Sequence, residues 1–142
     1  MEKNVQALLL TPYDESYECV RHAIERPLTR AGIKLVTTYD LQMEPGELVV
    51  DAVSDAIRTS ELILADVSKL NVNVSYELGF AYALRKTTVL IVSAEAAKDI
   101  PFSLAGYPVV YYEPDNLTGL STGLLRFIKA QASRVLGAGA GV

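Results

Sequence analysis

The stretch from Leu62 to Leu84 sets two carboxylates, Asp66 and Glu77, close together in the chain. An apolar run, Leu62 to Ala65, ends in Asp66. A short polar loop with Asn71 and Asn73 follows, and Glu77 falls just inside a helix that starts there. In open α/β sheets ligands bind beyond the carboxyl ends of the strands, which is where this pair falls. Asp66 can cap the loop behind its strand, or it can accept hydrogen bonds from ligand hydroxyls or a base edge. Glu77 can compensate the helix dipole at the surface, or present an ionised oxygen to a ligand. Asn73 is placed to N-cap the helix. Glu77 lies four residues later, so the two project from one helix face.

Other segments converge on the same place. Thr11, Pro12, Tyr13 and Asp14 follow the first apolar run, and Val67 and Ser68 follow Asp66. With Asn71, Asn73 and Glu77 these are expected to surround one cleft. Tyr13 supplies either a packing ring or an orienting hydroxyl with a stacking face. No GxGxxG follows the first strand and no GxxxxGK[ST] occurs, so neither a dinucleotide fingerprint nor a P-loop is expected. No GxSxG occurs and the sole histidine, His22, has no evident serine partner, which argues against a hydrolase triad.

Composition narrows the classes further. The chain has 142 residues, half of them hydrophobic, with a net charge of −4. That suits one packed domain and argues against a broad basic surface for duplex nucleic acid. A small anion can still bind locally at a helix N-terminus or an arginine. The single cysteine, Cys19, excludes an intrachain disulfide and a cysteine-based zinc site, and fits a reducing compartment. With one histidine, a transition-metal site would need mostly carboxylates, and none is expected. Cys19 reads as a small buried or half-buried hydrophobe, and His22 as a solvated helix residue. The apolar runs are strand-sized, far below a membrane span. The N-terminal apolar stretch is too short for a signal peptide, and a cytoplasmic location is expected.

The elements that must position these residues alternate. Val5 to Leu10 reads as a strand. A helix capped by Asp14 or Ser16 runs to about Arg30, kinked or divided by Pro27 and stopped near Gly32. Ile33 to Thr38 is a second strand. Glu47 to Thr59 is an amphipathic helix with Leu48, Ala52, Val53, Ala56 and Ile57 on one face. Leu62 to Ala65 is a strand, Asn73 to Leu84 a helix, Thr87 to Val92 a strand and Ala94 to Gly106 a loop. Tyr107 to Tyr112 is the fifth strand, and Leu117 to Leu136 the last helix. Gly79 inside the third helix is expected to permit close approach to the sheet or to a partner subunit. Residues 1–136 form one domain, and the GAGAGV tail from Gly137 is expected to fray. Alternating strands and helices predict an α/β, flavodoxin-like three-layer sandwich. Its five-stranded parallel sheet has order 2-1-3-4-5, with the switch point between the first and third strands.

Three segments carry a resemblance. TPYDESYECVRHAIERPLTRAGIKLV, then DAVSDAIRTSELILADVSKLNVNVSYELGFAYALRKTTVLIV, then IPFSLAGYPVVYYE resemble the nucleoside 2-deoxyribosyltransferase-like group, itself similar to TIR-like NAD-cleaving domains. The most specific part is ADVSxxNxNVxYELGxAxAL. The resemblance implies a flavodoxin-like fold, a nucleoside, nucleotide or NAD-like ligand, attack at an anomeric carbon and no metal or redox cofactor. It implies that Glu77 is the nucleophile, that Asp66 binds or protonates the base, and that Tyr13 orients the glutamate. Thr11, Pro12, Ser68, Asn71 and Asn73 would bind substrate. The group's transferases carry an aspartate where this chain has Asn71, and a Gly-Thr pair where it has Asn73-Val74. These departures favour hydrolysis of a nucleotide, or binding without turnover, over transfer between bases. A homo-oligomer is expected, with Gly79, Ala81, Tyr82 and Leu84 as contact candidates.

Overall fold

The computed structural model describes residues 4–12, 14–69 and 71–137. Five parallel strands form one sheet of order β2-β1-β3-β4-β5. They are β1 (Val5–Leu10), β2 (Ile33–Thr37), β3 (Leu62–Asp66), β4 (Thr87–Ser93) and β5 (Val109–Tyr112). Helices α1 (Glu18–Arg30), α2 (Val49–Thr59), α3 (Val72–Ala83), α4 (Thr118–Ala130) and α5 (Ala132–Val135) cover it.

Alternation along each strand divides the core. Leu9, Leu64 and Ile91 turn to the face covered by α1 and α4, while Leu8, Ile63 and Leu90 turn to the face covered by α2 and α3. Strands buried on both faces need apolar residues at consecutive positions, hence the runs ALLL, LILA and VLIV. Each fully buried leucine or isoleucine contributes about 1.5–3 kcal/mol.

Several local expectations are corrected. Pro27 neither divides nor ends α1. The ring removes the N–H that would have bonded Ala23, and the Ser121 hydroxyl of α4 donates to the Ala23 carbonyl at 2.7 Å instead. A 3₁₀ turn, Glu15–Tyr17, precedes α1, and the Asp14 carboxylate caps it by accepting from the Ser16 N–H at 2.9 Å. Thr38 leaves β2 for a turn in which the Asp40 carboxylate accepts from both the N–H and the hydroxyl of Thr37. Leu48 lies outside α2 and is exposed. The N-cap of α3 is Asn71 rather than Asn73, its Oδ1 accepting from the Val74 N–H at 2.8 Å. Pro108 delays β5, and the last helix breaks at Gln131. Residues 94–106 form two 3₁₀ turns, Ala94–Asp99 and Phe102–Leu104.

Cys19 is exposed, because Val20, Ala23, Ile24 and Leu28 form the buried stripe of α1 and Cys19 lies off it. Ala81 is fully buried, so it drops out as a surface contact. Gly79 faces open space and does not mediate close approach to the sheet. That role belongs to Gly123 of α4, where a Cβ would lie 2.7 Å from Val110 Cγ1 on β5. The tail residues 138–142 lie outside the described residues.

Candidate functional site

β3 continues through Asp66, and the strand's alternation turns that side chain toward the α1 and α4 face. Its Oδ1 accepts from the Ser68 N–H at 2.9 Å. Its Oδ2 accepts from the Tyr17 hydroxyl at 2.6 Å and the Tyr112 hydroxyl at 3.0 Å. Asp66 is 3% exposed. Burial, with the neighbouring Asp66 charge added, raises both phenols: Tyr17 far above the ordinary tyrosine range and Tyr112 to about 12. Both therefore stay protonated and keep donating. The carboxylate ties the turn before α1 to the ends of β3 and β5. Each hydrogen bond to a charged group is worth about 1.5–3 kcal/mol. Ser68 extends the network by accepting from the Ser93 N–H at 2.7 Å, which joins the ends of β3 and β4.

Glu77 lies on the other side of the sheet. In α3 the buried residues are Val74, Leu78 and Ala81, and Glu77 sits at the margin of that stripe, half-buried. It lines a groove of about 420 Å³ between α2 and α3, walled by Val49, Val53, Tyr76 and Phe80, with Asn73 beside it. Among the described residues the Glu77 carboxyl has no hydrogen-bond or ion-pair partner. Desolvation against these apolar walls pushes it up from 4.5 to about 7. Near neutral pH the group is thus divided between carboxylate and acid, with an oxygen free to meet a ligand.

The expected single cleft resolves into separate places. Asn73 and Glu77 share the α2–α3 groove. Thr11 and Pro12 line a smaller pocket with Tyr17, Tyr39 and Asp40 at the ends of β1 and β2. Asn71 is engaged as a helix cap and Ser68 as a link between strands. Asp66 and Glu77 share neither a hydrogen bond nor a groove, Asp66 being engaged with Tyr17, Tyr112 and Ser68 on the other face of the sheet. Tyr13 lies outside the described residues. Across the switch point the Lys69 ammonium lies 3.8 Å from the Asp14 carboxylate. Tyr17, in the 3₁₀ turn that follows β1, joins the site although nothing in TPYDESY marks it as more than a helix-start residue. His22 is exposed beside Glu18, as expected. Among the described residues no group of three or more acidic, cysteine or histidine side chains is placed to hold a metal ion. No helix there is long and apolar enough to cross a membrane.

No protein-family model matches the sequence, and no curated protein matches it. Solved structures do match. A CMP N-glycosidase from Clostridium botulinum superposes with a TM-score of 0.62 at 18% identity, covering 86% of this chain and 98% of that one. A 2-deoxyribosyltransferase from Bacillus psychrosaccharolyticus gives 0.60 at 17% identity, covering 82% of this chain and 90% of that one. A response regulator receiver domain from Clostridium thermocellum gives 0.53 at 9% identity, covering 90% and 97%. At these identities the likeness is one of fold, and the fold is shared by proteins of different description.

Proposed function

We propose that this chain is an N-glycosidase of the nucleoside 2-deoxyribosyltransferase-like group, acting on a nucleoside or nucleotide with Glu77 as nucleophile. The observation that carries this reading is the unpartnered, half-buried Glu77 carboxyl in an apolar groove beside the carboxyl edge of the sheet. It is supported by the resemblance of ADVSxxNxNVxYELG to that group, and by a fold shared with an N-glycosidase and a deoxyribosyltransferase.

In the reaction a Glu77 oxygen forms a bond to the anomeric carbon as the C–N bond to the base breaks. The base leaves with the electron pair and takes a proton from water. Water then hydrolyses the glycosyl ester, releasing the sugar and returning the carboxylate. Positive charge developing on the ring is met by the ionised carboxylate in a poorly solvated groove. Asn73, which lines the same groove as Glu77, binds the sugar hydroxyls in this reading. Asn71 stands where the group's transferases carry an aspartate and caps α3 instead, so water is the favoured acceptor. Asp66 acts by holding Tyr17 and Tyr112 in place. The same reading includes self-association through the outer side of α3 around Gly79.

The test is base release from a panel of nucleosides, 5′-nucleotides and NAD, followed by chromatography beside Glu77→Gln. Wild type is expected to release base from at least one compound. Glu77→Gln should lose at least about 10³-fold in rate while still binding. Thermal stabilisation by a compound that is never cleaved would replace this reading with a binding module.

A further inference from the structure

At the amino edge of the sheet, α3 ends and β4 begins beside a cavity of about 370 Å³, at the lower end of the range of small-molecule sites. Arg85, Lys86 and Arg134 line it, and among the described residues no carboxylate does. Among the described residues neither Arg85 nor Arg134 forms an ion pair. The chain as a whole carries −4, so three cations without a neighbouring acid are a departure from its average surface.

Two of these cations have fixed positions. The Lys86 ammonium donates to the carbonyls of Arg58 at 2.6 Å and Ser60 at 3.0 Å, leaving one N–H of three. Arg85 occupies the left-handed position that closes α3, with φ +57°. Its N–H bonds the Tyr82 carbonyl, and the Lys86 N–H bonds the Ala81 carbonyl. Glycine is the ordinary residue at such a position. An arginine there accepts backbone strain and holds its guanidinium 5.6 Å from the centre of the Tyr82 ring. Tyr82 meets Tyr107 edge to face at 6.4 Å, and Phe127 completes an aromatic wall.

We propose that this cavity binds a small aromatic anion, a nucleoside phosphate, separately from the Glu77 groove. The ring lies against Tyr82, Tyr107 and Phe127. The phosphate meets Arg85 and Arg134 in charge-assisted hydrogen bonds, while the Lys86 ammonium, held on the Arg58 and Ser60 carbonyls, adds its positive charge nearby. The cavity is at the edge of the sheet opposite to the ends of β1 and β3, so the inference does not depend on the chemistry assigned to Glu77.

The experiment is an amide NMR titration with ADP, adenosine and inorganic phosphate. The full chain carrying Glu77→Gln serves as host, so that the proposed glycosidase reaction does not consume the ligand. ADP is expected to shift the amides of Lys86, Thr87 and Gln131 saturably, with phosphate weaker and adenosine weaker still. Arg85→Gly removes the guanidinium and the backbone strain together, so the fold is retained. It should weaken ADP at this cavity by about tenfold or more, as should Arg134→Gln. Three results would overturn the proposal. One is no shift of these amides at millimolar ADP. Another is shifts confined to the Asn73 and Glu77 region. The third is binding at the cavity that neither arginine variant weakens.

Discussion

Glu77 and Asp66 are two carboxylates with opposite circumstances, and the difference sets what pH does to each. Asp66 is surrounded by donors, whereas Glu77 faces apolar walls that raise it from 4.5 to about 7. A carboxyl raised on folding binds its proton more tightly in the native state than in the unfolded chain. Its stabilising contribution is therefore complete below pH 4.5 and is lost as pH rises to about 7. Allowing for solvent screening, the loss is on the order of 1–2 kcal/mol. Urea unfolding at a series of pH values should show this decline in wild type and not in Glu77→Gln. Base release should move the other way, rising with an apparent pKa near 7 as the nucleophile ionises. Identical pH profiles of stability in the two proteins would remove the desolvated carboxyl from the account. The positions of both carboxylates were legible in the sequence, since a strand end and a helix start announce themselves. Their orientation was not. Continuing β3 by one residue through Asp66 fixes which face the side chain takes, and an apolar run followed by Asp does not say where pairing stops. Asn71 and Asn73 posed a similar ambiguity, because either can cap, and the choice depends on which N–H groups the first turn leaves free.

Among the elements, two glycines in helices predict opposite responses to the same substitution. Gly79 in α3 faces open space within the chain, so Gly79→Ala should stabilise the single chain by up to about 1 kcal/mol through helix propensity. Gly123 in α4 lies where a Cβ would meet Val110 Cγ1 at 2.7 Å, and a β-branched side chain on a strand has little freedom to yield. Overpacking costs about 1–3 kcal/mol, so Gly123→Ala should destabilise despite the gain in propensity. Denaturant midpoints of the two variants should fall on either side of wild type, and a stabilised Gly123→Ala would mean that α4 moves freely over β5. Periodicity made the strands and helices readable to within a few residues. Cross-element hydrogen bonds were not readable. Pro27 looked like a breaker because the partner of the freed Ala23 carbonyl, Ser121, lies in another helix. The close approach at Gly123 depends equally on a strand elsewhere in the chain, and nothing local distinguishes Gly123 from Gly79.

At the scale of the whole molecule, strict alternation of strand and helix leaves few topologies once crossovers are right-handed. The order 2-1-3-4-5 could therefore be read before any contact was known. What alternation does not govern is the outer surface, and there an apolar feature stands out. Phe102 is 94% exposed. It adjoins a groove of about 530 Å³ lined by Leu78, Gly79, Pro101 and Leu104, between α3 and the turns before β5. If two copies meet about a two-fold axis here, each offers its ring to the other's groove. Small residues at the recess, Gly79 and Gly106, keep it open. Light scattering on the full chain should then give a mass of at least twice 15.4 kDa. Phe102→Ser should shift the population toward the single chain, while Cys19→Ser, on the exposed side of α1, should leave it unchanged. A wild-type chain that stays single at the highest accessible concentration would free this groove for a different occupant and remove self-association from the proposed function.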